Sequence, residues 1–221
     1  MVAVRPMRGL TALAPLSSST SHTPPSYNWE DYNYPPCLRI WHFSPSELEP
    51  ATRLVARIMQ AAFLVPIFAL TLNPFVTVAL VFVAGMPPLY IMYSVFNLIL
   101  GYCGALYIFM TGYKGLATCR SQLLWRYVYG WAVLLVLMAA MSGLAVANLN
   151  GWVRVVHLIE HREELSSAEG GAHLFWLIAA TCEASCWSAS VVIGAYAWIL
   201  VLRVYRDGPA AITRYGKWLG R

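Results

Sequence analysis

The residues with the greatest chemical potential are few and far apart. His157-Leu158-Ile159-Glu160-His161 spells H-x-x-E-H. On a helix its two histidines fall at i and i+4, where they can hold zinc while Glu160 serves as a base, the order found in inverzincin peptidases. A convincing third ligand is missing, and the motif lies in a short acidic loop, not in the cleft of a large domain. The reading adopted is a solvated amphipathic loop helix. Glu183 is the only Asp, Glu, Lys or Arg from Gly170 to Leu202. A carboxylate costs free energy in lipid, so an intramembrane acid is a functional hypothesis by default. A proton or cation relay would need titratable partners, and the nearest polar candidates are Asn73 and Cys182. A protonated or hydrogen-bonded Glu183 at a helix interface is therefore expected, with transport through Glu183 as the rival.

Cys182 and Cys186 share a helix face and can bind metal, carry acyl groups or simply pack. Cys37 and Cys119 lie near a predicted interface, where palmitoylation is an option. The five cysteines form no even framework for structural disulfides. There is no P-loop, no Rossmann fingerprint, no nucleophile elbow and no catalytic carboxylate pair. No histidine pair falls inside an apolar segment for haem. The sequence thus predicts no enzyme, no cofactor and no bound metal.

What must position these residues follows from composition. Of 221 residues, 11% are charged and 59% hydrophobic, with a mean hydropathy of +0.57. Soluble domains carry about 25% charged residues, so this chain lacks the polar surface to cover a globule in water. The charges are also unevenly placed. None occurs from Ile58 to Tyr113 or from Tyr127 to Val153, and Glu183 stands alone from Gly170 to Leu202. A span needs about 20 apolar residues, so the first gap holds two and the others one each. Gly85-Met86-Pro87-Pro88 divides the first gap, with Asn73-Pro74 as a competing break. The predicted spans are 58–84, kinked at Pro66 or Pro74, then 89–112, 127–149 and 172–202. No period-2 pattern competes, so the fold class is an all-α, four-helix transmembrane bundle.

Orientation follows from Lys and Arg. Arg39, Arg53 and Arg57 precede the first span. Lys114, Arg120 and Arg126 lie between the second and third, and Arg203, Arg206, Arg214, Lys217 and Arg221 follow the fourth. The loop between the third and fourth spans holds Arg154 and Arg162 against Glu160, Glu163, Glu164 and Glu169. Both termini and the middle loop are therefore predicted to face the cytosol (or the equivalent matrix side). The net charge of +5 suits an anionic leaflet better than nucleic acid. Trp125, Trp131, Trp152 and Trp176 are expected in the interfacial aromatic belts. Small residues at Ala139, Gly143 and Ala147, and at Ala180, Ala184 and Ser188, favour close helix packing.

Outside the spans, residues 1–29 are acid-poor with Arg5, Arg8 and a Ser/Thr run at 17–21, which fits either a transit peptide or a disordered tail. Tyr27 to Cys37 is aromatic and proline-punctuated, a docking strap against the bundle or headgroups. Residues 44–57 predict a separate interfacial helix. Ser44 would cap it, Pro45 would take its first position, and Leu48, Leu54, Val55 and Ile58 would face lipid. The basic tail 207–221 ends the chain.

Taken in order, these features resemble the secretory carrier membrane protein family over roughly 33–206. Asn33-Tyr34-Pro35-Pro36-Cys37 resembles the family's Asn-aromatic-Pro stretch, and 45–59 its pre-membrane amphipathic helix. Leu72-Asn73 with Phe75 resembles a pair in its first span. Tyr113-Lys114 with Leu116 and Arg120 resembles its Tyr-Arg-Pro-Leu-Tyr middle loop, although Gly115 replaces the proline. Asn148 to Trp152 resembles its Asn/Gly/Trp turn, and Tyr205-Arg206 its Leu-Tyr-Arg ending. The N-terminal tail lacks the repeated Asn-Pro-Phe motifs and coiled coil of longer members. The copy at Asn73-Pro74-Phe75 falls inside a span, so EH-domain binding is not carried over. The resemblance implies a non-enzymatic trafficking protein of post-Golgi and endosomal membranes. In that reading Lys114, Arg120 and Arg126 face anionic lipid and phosphoinositides, and other membrane proteins or further copies of the chain are partners. A structural subunit of a mitochondrial inner-membrane complex is the alternative.

Overall fold

A computed structural model describes residues 27–36, 38–145, 148–161 and 172–208. The transit-peptide question, Cys37, Ala147, the acidic segment 162–171 and the tail beyond 208 lie outside the described residues. Five α-helices are present among them: α1 (Pro50–Val83), α2 (Leu89–Thr118), α3 (Ser121–Gly143), α4 (Trp152–Glu160) and α5 (Ala172–Asp207). All but α4 are long and apolar enough to cross a membrane. They run up, down, up and down. One end of the bundle, the basic end, carries Arg57, Lys114, Arg120, Arg126 and Arg203, and the far end carries the 84–88 turn and α4.

The core is built on two seams. Along α1, Val55, Met59, Ala62, Pro66, Ala69, Asn73, Val76 and Leu80 are buried. Along α5 the buried positions are Ala180, Glu183, Trp187, Ser190, Gly194, Ala197, Val201 and Val204. Both rows alternate steps of three and four, the heptad spacing of helices packed knobs-into-holes. α1 packs on α5 and α2, and α3 packs on α5 and α2. Trp131 closes the bundle, its ring fully buried and its indole N–H donating to the Gly194 carbonyl at 3.0 Å. A Cβ at residue 194 would lie 3.0 Å from the end of Leu135 and 3.4 Å from the Trp131 indole nitrogen, so a larger residue there would need Leu135 to shift.

Several expectations change. No separate interfacial helix covers 44–57: Pro45–Glu47 is a single 3-10 turn, and α1 runs unbroken from Pro50 through Pro66 and Pro74. No residue near 57 breaks a helix, and Val55, Ala56 and Met59 form one continuous buried face. Leu48 and Val55 therefore face the bundle, not lipid. Ser44 precedes the 3-10 turn without a side-chain cap bond. α3 stops at Gly143 instead of 149, and its Ala139 is exposed, so that member of the small-residue row does not pack against a neighbouring helix. The matching face of α5 is one: Ala180 and Ala184 pack on Val155 and Leu158 of α4. Trp131 belongs to the core, whereas Trp125 and Trp152 are exposed.

Candidate functional site

Glu183 sits at the centre of a buried polar cluster. Its carboxylate Oε2 accepts from Asn150 Nδ2 at 2.8 Å, and Oε1 accepts from the Asn150 backbone N–H at 3.2 Å and from Trp187 Nε1 at 3.4 Å. Asn73 Nδ2 lies 3.1 Å from both oxygens. Every partner is a donor, the set an acceptor-only carboxylate needs. Asn73 also donates to the Asn148 carbonyl at 2.8 Å, and Asn148 Nδ2 returns a bond to Asn73 Oδ1 at 3.0 Å. Asn97 of α2 reaches Asn148 Oδ1 at 3.4 Å, and Trp176 donates to Asn150 Oδ1 at 3.3 Å. The cluster thus ties α1, α2 and α5 to the segment that follows α3.

Depth explains why these groups are needed. Arg203 and Glu183 are twenty residues apart on one helix, or about 30 Å at 1.5 Å per residue, the thickness of a hydrocarbon core. With Arg203 at the basic interface, Glu183 lies at the far boundary. Irregular backbone at that level is tolerated only where protein satisfies it. The short α3 delivers the irregular segment holding Asn148 and Asn150 there, and the amides and Glu183 satisfy it. Sequence reasoning named Asn73 and Cys182 as the nearest polar candidates for Glu183; Asn73 is a partner, and Asn97, Asn148 and Asn150 were missed. A search for amides inside uncharged stretches would have found Asn97, Asn148 and Asn150. Cys182 is exposed and takes no part among the described contacts.

The other site is the basic end. Lys114, Arg120 and Arg126 are exposed, and no ion pair engages them among the described residues. They stand at the end of α2, the turn before α3 and the first turns of α3. The strap packs beside them. Lys114 Nζ lies 5.3 Å from the centre of the Trp29 ring, a cation–π contact. Buried His42 bonds Asp31 O through Nδ1 and Glu47 Oε2 through Nε2, each at 3.0 Å. Tyr113 of α2 holds the strap twice: its hydroxyl accepts from the Ser44 N–H at 3.0 Å and donates to the Ser44 carbonyl at 3.1 Å. A cleft of about 240 Å³ remains between Trp29, Trp41, His42, Met110 and Lys114. Neither His42 nor Tyr113 was singled out for these contacts from sequence.

Elsewhere, α4 stacks His157 on His161 with ring centres 4.3 Å apart. Among the described residues, no three His, Cys, Asp or Glu side chains are grouped to hold a metal.

The SCAMP family model matches residues 31–208. The chain belongs to the SCAMP family. The matched range begins in the strap and ends with α5, so the SCAMP unit includes both the Glu183 cluster and the basic end. Comparisons with curated proteins and with solved structures return no match. This SCAMP-family chain is thus a membrane protein with four candidate spans.

Proposed function

We propose that this protein is a non-enzymatic trafficking component of post-Golgi and endosomal membranes that gathers anionic lipid at its basic, cytosolic end. The observation that carries this reading is the exposure of Lys114, Arg120 and Arg126, none in an ion pair among the described residues, at one end of a SCAMP-family bundle. Each cation near an anionic surface contributes about 1 kcal/mol, so three together favour such a leaflet by about 3 kcal/mol. Phosphoinositide headgroups concentrate charge best and are the preferred ligand. Glu183 is assigned to the framework, because every group it touches is a neutral donor of the bundle.

The double variant Lys114→Glu, Arg120→Glu should bind vesicles containing phosphatidylinositol bisphosphate far more weakly than the parent, while keeping its thermal stability. Unchanged binding would sink the lipid mechanism. A fluorescent fusion should show punctate Golgi and endosomal signal in cells. Mitochondrial signal would instead favour a structural subunit of an inner-membrane complex.

A further inference from the structure

Residues 33–36 and 38–41 pair as a small hairpin. Tyr34 and Trp41 exchange backbone hydrogen bonds at 2.8 Å in both directions. The Pro35 carbonyl accepts from Leu38 at 3.0 Å and Arg39 at 2.8 Å, and Asn33 donates to the Trp41 carbonyl at 2.9 Å. The described N–H groups of the hairpin are thus satisfied internally, while its outer carbonyls are left for water and headgroups, as suits the interfacial level and not the hydrocarbon centre.

Its depth is fixed by aromatic contacts. The Tyr34 ring lies 5.9 Å from Phe109 of α2 and 6.3 Å from Phe63 of α1. Phe109 is five residues inward of Lys114, about 7 Å along the helix. Phe63 is six residues inward of Arg57, about 9 Å. The Tyr34 ring at the base of the hairpin therefore seats below the ring of basic residues, at the level where interfacial segments enter the headgroup and acyl boundary. At this level the neighbouring helices show Leu64 and Tyr107 outward. The hairpin continues that surface with Leu38 57%, Ile40 49% and Trp41 37% exposed. Between Leu38 and Ile40 stands Arg39, exposed and with positive φ, a side chain long enough to reach phosphate from such a site.

We propose that the 33–41 hairpin is an anchor inserted in the leaflet at the basic end, with Leu38, Ile40 and Trp41 against acyl chains. Its ligand is the bilayer itself. The basic residues above it are then set beside headgroups by a fixed wedge of protein, independent of which anionic lipid they collect.

The test uses the full chain in phosphatidylcholine vesicles, with dansylalanine in place of Leu38 and, separately, of Ile40. Each label should emit to the blue of its position in water. Each should lose several-fold more emission to lipid carrying a nitroxide near the top of its acyl chain than to aqueous iodide. Preferential quenching by iodide would overturn the proposal by placing the hairpin in water. Shielding from both quenchers would overturn it by showing that protein covers these residues.

Discussion

Removing the Glu183 carboxylate should be among the most damaging single changes in the bundle. In Glu183→Ala, the Asn150 backbone N–H, the Asn150 side-chain amide and the Trp187 indole lose the acceptor described for them. Asn73 keeps the Asn148 carbonyl. Each orphaned buried donor costs about 1–3 kcal/mol. Water entering the vacated space recovers part of that, so the net loss should be about 3–5 kcal/mol. For a chain of this length that lowers Tm by roughly 6–20 °C. Glu183→Gln keeps one carbonyl acceptor but sets an amide N–H₂ against donors, and should cost about 1–2 kcal/mol. Thermal unfolding in detergent, followed by size-exclusion chromatography of heated samples, reads both. Pairing Glu183→Ala with Asn150→Ala should give less than the sum, because the two remove the same bonds. A Glu183→Ala protein with the parent's Tm would refute the assignment of Glu183 to the framework and return attention to transport.

Two further outcomes rest on close packing. Gly112→Ala should destabilise by about 1–3 kcal/mol, since its Cβ would collide with the buried Tyr127 ring and with Met59. Gly104→Ala, on the same helix, meets nothing within 4 Å and should raise stability by up to about 1 kcal/mol through helix propensity; the same heating assay compares them, and equal effects would contradict the packing described. Tyr113→Phe leaves the Ser44 amide without its acceptor and should cost the strap about 1–2 kcal/mol, so hydrogen exchange at that amide should quicken by about 5–30-fold. Unchanged exchange there would mean that Tyr113 does not hold the strap.

The four spans were legible because charge is excluded from hydrocarbon and collects at the ends, which needs no knowledge of packing. Their limits were less so. Hydropathy carried α3 on to residue 149, since nothing in Gly143 to Leu149 is charged. The helix stops earlier because Asn148 and Asn150 spend their polar groups on Asn73 and Glu183, partners far away in sequence. The reverse error occurred before the first span, where an amphipathic pattern suggested a helix lying flat. Val55 and Met59 instead begin the heptad seam that runs on to Leu80. Trp131 looked interfacial by its position near a charge, but its place in the bundle put it opposite Gly194. Glu183 and Asn73 were visible as unusual residues. That Asn73 and not Cys182 meets the acid, together with Asn150, was not, because on separate spans only the rotation of each helix decides which side chains meet.

The polar cluster also orders the making of the protein. Asn73 and Glu183 are 110 positions apart, and chains emerge from the ribosome N-terminus first. The amides of α1 and of the segment after α3 are therefore synthesised before the acid exists. When α5 enters the bilayer it brings the carboxylate to donors already waiting, and the acid need spend little time unsolvated. The strap waits too, since its anchor Tyr113 lies 69 residues beyond Ser44. The hairpin can seat only once α2 has joined α1. The strap can therefore seat before α5 is made, and a chain stalled before α5 would carry a seated strap above a half-built bundle.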